Sequence, residues 1–137
     1  MRAYFSRRYR ISASHRLHSE SFTPEKNAEV YGKCNNPYGH GHNYIIEVTV
    51  GGAIDPATGM VCNLVDLDAC VQKEVIDPFD HTNLNLNRDF RDVVPTTENF
   101  CIRIYQLLAA AFRGADLVRV RIEETSNNFF EYAGEGS

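Results

Sequence analysis

The residues of this chain best suited to chemistry are three histidines at the ends of two alternating segments. His15 closes the first segment, and His40 and His42 open the second. Because residues two apart in an extended chain point to the same face, His40 and His42 project together. Three neutral imidazoles that leave one position open are a common ligand set for catalytic Zn²⁺. The pattern therefore predicts a metal centre where the two segments meet.

A cysteine lies close to the histidine pair, in a polar loop that contains glycine. Cys34 is separated from His40 by five residues. It stands outside the His-x-His pair and is free to be something other than a ligand, while a nearby metal could stabilise its thiolate. The other three cysteines show no paired metal-ligand spacing, so we expect them to be thiols that pack as apolar groups.

Two further features have residue types that catalysis uses. Asp80 and His81 are adjacent; they are either a loop pair that caps nearby backbone or an acid/base unit in which the carboxylate orients the imidazole. Glu124 falls on the apolar face of a predicted strand, where a carboxylate is costly without a partner. It either pairs with an internal arginine or serves as a fixed acceptor for a ligand with adjacent N–H donors.

The alternation of apolar and polar residues predicts the strands that position these side chains. Four segments are interpreted as strands: 5–15, 40–50, a segment from Val118, and Phe129 to Tyr132. Residues 16–39 lack periodicity and are interpreted as a functional loop.

Helical spacing of apolar residues predicts two helices between the second and third strands. The first follows Asn63 and is expected to end before Pro78, which cannot continue a helix. The second opens at Pro95-Thr96-Thr97-Glu98, where threonine can cap the helix and Glu98 suits its dipole. The order ββααββ predicts an α+β domain with a four-stranded antiparallel sheet and two helices on one face.

Composition limits the function classes. A chain of 137 residues with 43% hydrophobic residues fits one globular domain spanning residues 1–137. A net charge of −4 argues against a nucleic-acid partner, for which a basic surface is expected. The basic start lacks the apolar stretch of a secretory signal, and no apolar run is long enough to span a membrane. We therefore expect a cytoplasmic protein without a membrane partner.

Six segments, in the same order along the chain, resemble the 6-pyruvoyl-tetrahydropterin synthase family. They are residues 12–17, 32–44, 54–61, 80–84, 96–99 and 124–128. The cysteine followed by five residues and then His-Gly-His-Asn-Tyr is highly specific. The resemblance therefore covers nearly the whole chain.

The resemblance implies a role for each candidate residue. It implies that Zn²⁺ is bound by three histidines: His15, His40 and His42. It implies that catalysis uses Cys34 as general base, with an acid/base pair formed by Asp80 and His81. It implies that the pterin ring is held by four residues: Glu124, Thr96, Thr97 and Glu98.

The resemblance also implies a reaction and an assembly. The implied substrate is 7,8-dihydroneopterin triphosphate, which loses triphosphate and rearranges internally to 6-pyruvoyl-tetrahydropterin in tetrahydrobiopterin biosynthesis. The implied fold is the tunnelling fold, in which the sheets of three subunits join into a twelve-stranded barrel. Two trimers then stack into a homohexamer with active sites at subunit interfaces.

Two alternatives stay open at this point. The related 6-carboxytetrahydropterin synthases of queuosine biosynthesis share the fold, zinc and substrate, but they cleave the side chain and release acetaldehyde. In those enzymes the cysteine usually lies nearer to the His-x-His pair. A non-catalytic zinc- or pterin-binding module is the alternative of another class, although structural zinc sites normally close with four protein ligands. Only three ligands are evident here unless Cys34 is the fourth.

Overall fold

The computed structural model describes residues 1–135 and contains a five-stranded sheet with the order β3-β1-β2-β4-β5. The strands are β1 (Arg2–His15), β2 (His40–Ala53), β3 (Thr82–Asn83), β4 (Asp116–Thr125) and β5 (Asn128–Tyr132). The main helices are α1 (Pro24–Tyr31), α2 (Leu64–Val71) and α3 (Thr97–Ala111). Within the described residues, no helix is long and apolar enough to cross a membrane.

The long antiparallel pairing of β1 with β2 places the candidate histidines at one end of the sheet. In this register Ala13 lies opposite His42, and His15 lies opposite His40. Ile11, Ala13 and His15 are buried on the same face of β1, as the alternation predicted. The apolar face of the sheet thus runs directly into the candidate site.

Helix α3 packs over that apolar face. Thr96 caps its first turn by accepting a hydrogen bond from the Asn99 backbone N–H at 3.1 Å, as expected for a threonine before a helix. Phe100, Ile104 and Leu108 recur one turn apart and are fully buried in the core with the strand residues. Burial of each such side chain stabilises the fold by about 1.5–3 kcal/mol.

The predicted four-stranded antiparallel sheet is incorrect, because a fifth strand pairs with β1 in parallel. Strand β3 has only two residues, and Thr82 lies opposite Ala13. The His81 backbone N–H donates to the Ser12 carbonyl at 2.6 Å, and the Ser12 N–H donates to the Asp80 carboxylate at 2.8 Å. These tertiary contacts specify the strand. With only two residues, it is too short to show an alternation of apolar and polar residues in the sequence.

The segment interpreted as a loop, residues 16–39, contains helix α1. The Thr23 hydroxyl accepts a hydrogen bond from the Lys26 N–H at 3.1 Å, and Pro24 occupies the first helical position. Both are recognised start signals, but α1 is only eight residues long and has a weak apolar face. Its buried Asn27 bonds the Ser19 backbone N–H and carbonyl, which anchors the loop to the helix.

The helix that starts at α2 does not end before Pro78. It widens into a π-helical turn over Gln72–Ile76 and closes with the short turn Asp77–Phe79. The Asp77 N–H donates to the Gln72 carbonyl, five residues back. This wider turn accommodates the proline ring, which would clash with a carbonyl in a regular helix. Phe79 is consequently buried in the core.

Candidate metal and catalytic site

Four side chains converge at the end of the sheet where β1 ends and β2 begins. Ligand-type atoms of His15, Cys34, His42 and Glu124 all lie within 4.8 Å of one another. His15 ends β1, His42 is the third residue of β2 and Glu124 lies near the end of β4. Neighbouring antiparallel strands bring these positions to one edge, and the turn after α1 adds Cys34. We call these four residues the buried cluster.

His15 is oriented by the backbone. Its side chain is buried, and its Nδ1 lies 2.8 Å from the Pro95 carbonyl oxygen. Nδ1 therefore carries the proton and donates it, which leaves the lone pair on Nε2. Nε2 is buried and has no hydrogen-bond partner in the structure. Burial lowers the pKa of His15, so the ring is neutral, and its free nitrogen is the kind that binds a metal.

His42 presents a second unsatisfied nitrogen to the same space. Its Nε2 lies 3.2 Å from Glu124 Oε1, but the atoms are not aligned for a hydrogen bond, and Nε2 has no hydrogen-bond partner. Burial lowers the pKa of His42 as well. An unpaired buried polar atom costs about 1–3 kcal/mol. Two such atoms on facing imidazoles, beside a thiol and a carboxylate, fit a zinc site.

Glu124 is held by a hydroxyl rather than by an arginine. Its Oε2 accepts a hydrogen bond from the Thr97 hydroxyl, which is itself buried. Among the described residues, the close partners of the carboxylate are Thr97 and His42. The sequence left two roles open for Glu124, and one of them was an ion pair with an internal arginine. The described contacts contain no such pair. Its side chain is 16% exposed, so it can be reached from outside.

Tyr44 is a residue to which the sequence analysis assigned no role of its own. It is completely buried, and its hydroxyl lies 3.4 Å from His15 Nδ1. Burial, followed by the charge of Glu124, raises the pKa of Tyr44, so it stays protonated. Its position two residues after His42, on the same face of β2, was the available signal.

Cys34 lies in the buried cluster as a neutral thiol. Burial raises its pKa, and the charge of Glu124 raises it further. Its loop is fixed against the chain after β1, because the Leu17 N–H donates to the Cys34 carbonyl at 2.7 Å. The Asn35 side chain returns a bond to the Leu17 carbonyl at 2.8 Å. The thiol position is therefore well defined before any ligand binds.

His40 lies beside the buried cluster but does not belong to it. Its ring centre is 4.7 Å from that of His42, and it lies opposite His15 in the strand register. His40 is exposed, whereas the other two histidines are largely enclosed. The structure thus brings two of the three predicted ligands together and places the third next to them.

Asp80 and His81 lie apart from the buried cluster. Their side chains are 3.5 Å apart, between His81 Nε2 and Asp80 Oδ2. The Asp80 carboxylate also accepts the Ser12 N–H, so it does cap backbone as well as meet the imidazole. The His81 side chain is 81% exposed, and its φ of +58° is uncommon for a residue other than glycine. Such strain is often found at functional positions.

The three residues at the start of α3 have different environments. The Thr96 hydroxyl serves as the helix cap, and the Thr97 hydroxyl holds Glu124. Glu98 is exposed in the first helical turn. Only Thr97 among them contacts the buried cluster through a described side-chain bond.

Comparison with known proteins identifies close similarity over nearly the whole chain. The family described as 6-pyruvoyl tetrahydropterin synthase matches residues 4–135. A Poecilia reticulata relative named 6-pyruvoyl tetrahydrobiopterin synthase is 51% identical, over 96% of this chain and 90% of its own. A Homo sapiens relative of the same name is 48% identical, over 97% and 92%. The Caenorhabditis elegans 6-pyruvoyl tetrahydropterin synthase structure superposes with a TM-score of 0.94 at 39% identity, covering 98% of this chain and 97% of that chain.

Proposed function

The chain belongs to the 6-pyruvoyl tetrahydropterin synthase family, and we propose that it is a zinc-dependent lyase of tetrahydrobiopterin biosynthesis. Its substrate is 7,8-dihydroneopterin triphosphate, and its products are 6-pyruvoyl-tetrahydropterin and triphosphate. The observation that carries this proposal is the buried cluster, in which two unpaired imidazole nitrogens face a thiol and a carboxylate.

Zinc is held by His15, His40 and His42 in this proposal. His15 presents an Nε2 lone pair because its Nδ1 donates to Pro95, and the buried Nε2 of His42 has no hydrogen-bond partner that would compete with a metal. His40 is the adjacent imidazole, and its exposed side chain leaves room for it to turn toward the other two. When bound, Zn²⁺ supplies Lewis acidity that acidifies the hydroxyl groups of the substrate side chain.

Cys34 is the proposed general base. It accepts the proton from the side-chain carbon of the substrate, while the triphosphate leaves with the electron pair of its C–O bond. Because burial and Glu124 raise its pKa, the thiol keeps its proton until positive charge enters the site. The base is therefore inactive in the empty site and becomes active in the loaded one.

Glu124 anchors the pterin in this proposal. A carboxylate accepts two parallel N–H donors, as presented by the amino-pyrimidine edge of a pterin. The Thr97 hydroxyl fixes the carboxylate, and Thr96 and Glu98 lie next to it at the start of α3. In this proposal the ring binds at Glu124, and the reacting side chain lies near Cys34 and the histidines of the same cluster.

We also propose the tunnelling-fold assembly, with three sheets forming a twelve-stranded barrel and two trimers stacked into a hexamer. The support is the position of the pair, which is separate from the buried cluster of its own chain: the His81 side chain is exposed and Asp80 is half-buried beside it. Such a pair can act as the partnering acid/base in a site shared between subunits.

Product analysis tests the proposed function. The zinc-loaded protein is incubated with 7,8-dihydroneopterin triphosphate, and triphosphate, acetaldehyde and the pterin are followed by mass spectrometry. We expect triphosphate and a 6-pyruvoyl product without acetaldehyde. Acetaldehyde with a 6-carboxy product would assign the chain to the other reaction on this fold, and binding without turnover would indicate a pterin-binding module.

A further inference from the structure

A second concave site lies beside the buried cluster, at the end of β1. It is a cavity of about 640 Å³ between the chain that follows His15 and the loop that precedes α3. Three arginines line it: Arg16, Arg88 and Arg91. The histidine His18 also lines it. A concentration of cations in one cavity is notable in a chain with a net charge of −4.

Within residues 1–135, these three arginines lack the carboxylate partners that most arginines of this chain have. Six arginines form ion pairs within the described residues: Arg2, Arg7, Arg8, Arg103, Arg119 and Arg121. The other five have no described ion pair: Arg10, Arg16, Arg88, Arg91 and Arg113. Three of those five therefore line the same cavity.

Two carboxylates also line the cavity, and neither forms a described ion pair with the arginines. Glu20 is 98% exposed and lies 3.5 Å from His18, at the outer side of the cavity. Asp92 is exposed and forms no described ion pair. The arginine charges are thus available to an anionic ligand.

Arg16 connects this cavity to the loop of the proposed base. It follows His15 directly, and its Nε donates to the Asn35 carbonyl at 3.2 Å, next to Cys34. On its other side, the Arg16 backbone is held by the Asn85 side chain, with bonds of 2.6 Å and 2.8 Å. The segment that carries the other two arginines is thereby fixed to the end of β1.

The cavity also shares a wall with the buried cluster. Pro95 lines the cavity, and its carbonyl is the acceptor for His15 Nδ1. A substrate whose side chain reacts beside Cys34 would extend past Arg16 when it reaches into this cavity. Guanidinium groups bind phosphate oxygens in a bidentate manner, which suits a chain of phosphates.

We propose that Arg16, Arg88 and Arg91 form the subsite for the triphosphate of the substrate. This inference rests on the proposed function, which supplies the triphosphate. The arginines hold the leaving group while the pterin ring is anchored at Glu124, so the two ends of the substrate are fixed on either side of the reacting carbons.

Calorimetric titration of the zinc-loaded protein with inorganic tripolyphosphate tests the subsite directly. We expect the Arg88→Ala/Arg91→Ala double variant to bind tripolyphosphate at least about tenfold more weakly than wild type, because two charge-assisted contacts are lost. The matched control is Arg113→Ala, which removes an unpaired arginine outside the cavity. Zinc is assayed before and after the titration, since tripolyphosphate chelates metals. A dissociation constant for the double variant within twofold of the control overturns the proposal.

Kinetics then decide whether the cavity serves the substrate. The double variant should raise KM for 7,8-dihydroneopterin triphosphate about tenfold or more and change kcat much less, as for lost uniform binding. Weaker tripolyphosphate binding with an unchanged KM overturns the substrate subsite and leaves a site for free polyphosphate only. If wild type binds tripolyphosphate but forms no 6-pyruvoyl product, the proposed function is wrong, although the cavity still binds polyphosphate.

Discussion

The buried cluster and the Asp80–His81 pair lie close together along β1, yet they differ in how the fold holds them. The buried cluster begins at His15, whose side chain is enclosed and bonded to Pro95. Three residues earlier, Ser12 uses both backbone groups to hold the pair: its N–H donates to Asp80 and its carbonyl accepts from His81. The imidazole of His81 is nevertheless 81% exposed. In the first region the side chains themselves are enclosed and held, whereas in the second the fold holds the Asp80 carboxylate and the His81 backbone and leaves the imidazole exposed.

This difference predicts different effects of substitution in the two regions. The buried cluster orders its side chains before any ligand arrives, so changes there should alter metal content and stability as well as turnover. The exposed pair contributes little packing, so changes there should alter turnover alone. The following predictions test that separation, from the largest expected effect to the smallest.

Loss of a buried imidazole should have the largest effect. We expect His42→Ala to weaken zinc binding by more than about 100-fold and to abolish product formation, because a proposed ligand is removed. The measurement is zinc per chain after dialysis. The comparison variant is His81→Asn, which should keep its zinc. Equal zinc loss in both variants would contradict the separation of the two regions.

Removal of the thiol should affect turnover without affecting the metal. We expect Cys34→Ala to keep zinc and to lose about 10²–10⁴-fold in kcat, as for loss of a general base. Cys62→Ala, at a half-buried cysteine outside the buried cluster, is the control and should retain activity. Zinc loss from Cys34→Ala would instead make this thiol the fourth ligand.

Sequence patterns predicted the part of the site that regular strands create. The alternation put His15 and His42 on the apolar faces of two strands and Glu124 on that of a third, and in the structure these three side chains do converge. The match between alternation and burial is strong in β1 and β2, where one face contacts the core. A period of two therefore located the buried cluster without knowledge of the loops.

Sequence patterns failed where tertiary contacts decide the structure. Strand β3 exists because backbone groups of Ser12 bind the segment after Phe79, which no local pattern encodes. The passage of the helix through Pro78 needs a π-helical turn whose position depends on packing. The hydrogen bonds of Tyr44 and Thr97 were also hidden, because a buried tyrosine and a first-turn threonine have ordinary structural interpretations.

Substitution of the exposed imidazole should lower turnover and leave the rest of the protein unchanged. We expect His81→Asn to reduce kcat by about 100-fold or more, because an acid/base group is lost. Asparagine tolerates the positive φ at this position, so the backbone should keep its conformation. Thermal unfolding should occur at the wild-type temperature. A fall of several degrees would show that His81 supports packing.

Substitution of Thr97, whose hydroxyl holds Glu124, should have an intermediate effect on kcat/KM. Thr97→Val keeps the shape of the side chain but removes the hydroxyl that donates to the carboxylate. We expect about a 10–100-fold loss of kcat/KM, with most of it in KM if Glu124 anchors the pterin. Thr97→Ser restores the donor and should recover most of the loss. Failure of serine to rescue would mean that the methyl group, rather than the hydroxyl, matters.

The smallest effect should be a pH dependence confined to the buried histidines. Burial lowers the pKa of His15 and His42 below the ordinary value of 6.5, which applies when the chain is unfolded. As pH falls through 6.5, the unfolded chain therefore binds protons before the folded one, and the free energy of unfolding of the metal-free protein decreases. Urea unfolding from about pH 7.5 to about pH 5.5 measures this decrease. His42→Gln should reduce it because one titrating group is gone. A metal-free protein that becomes more stable on acidification would show that the buried imidazoles are charged in the fold, and they could then not serve as ready zinc ligands.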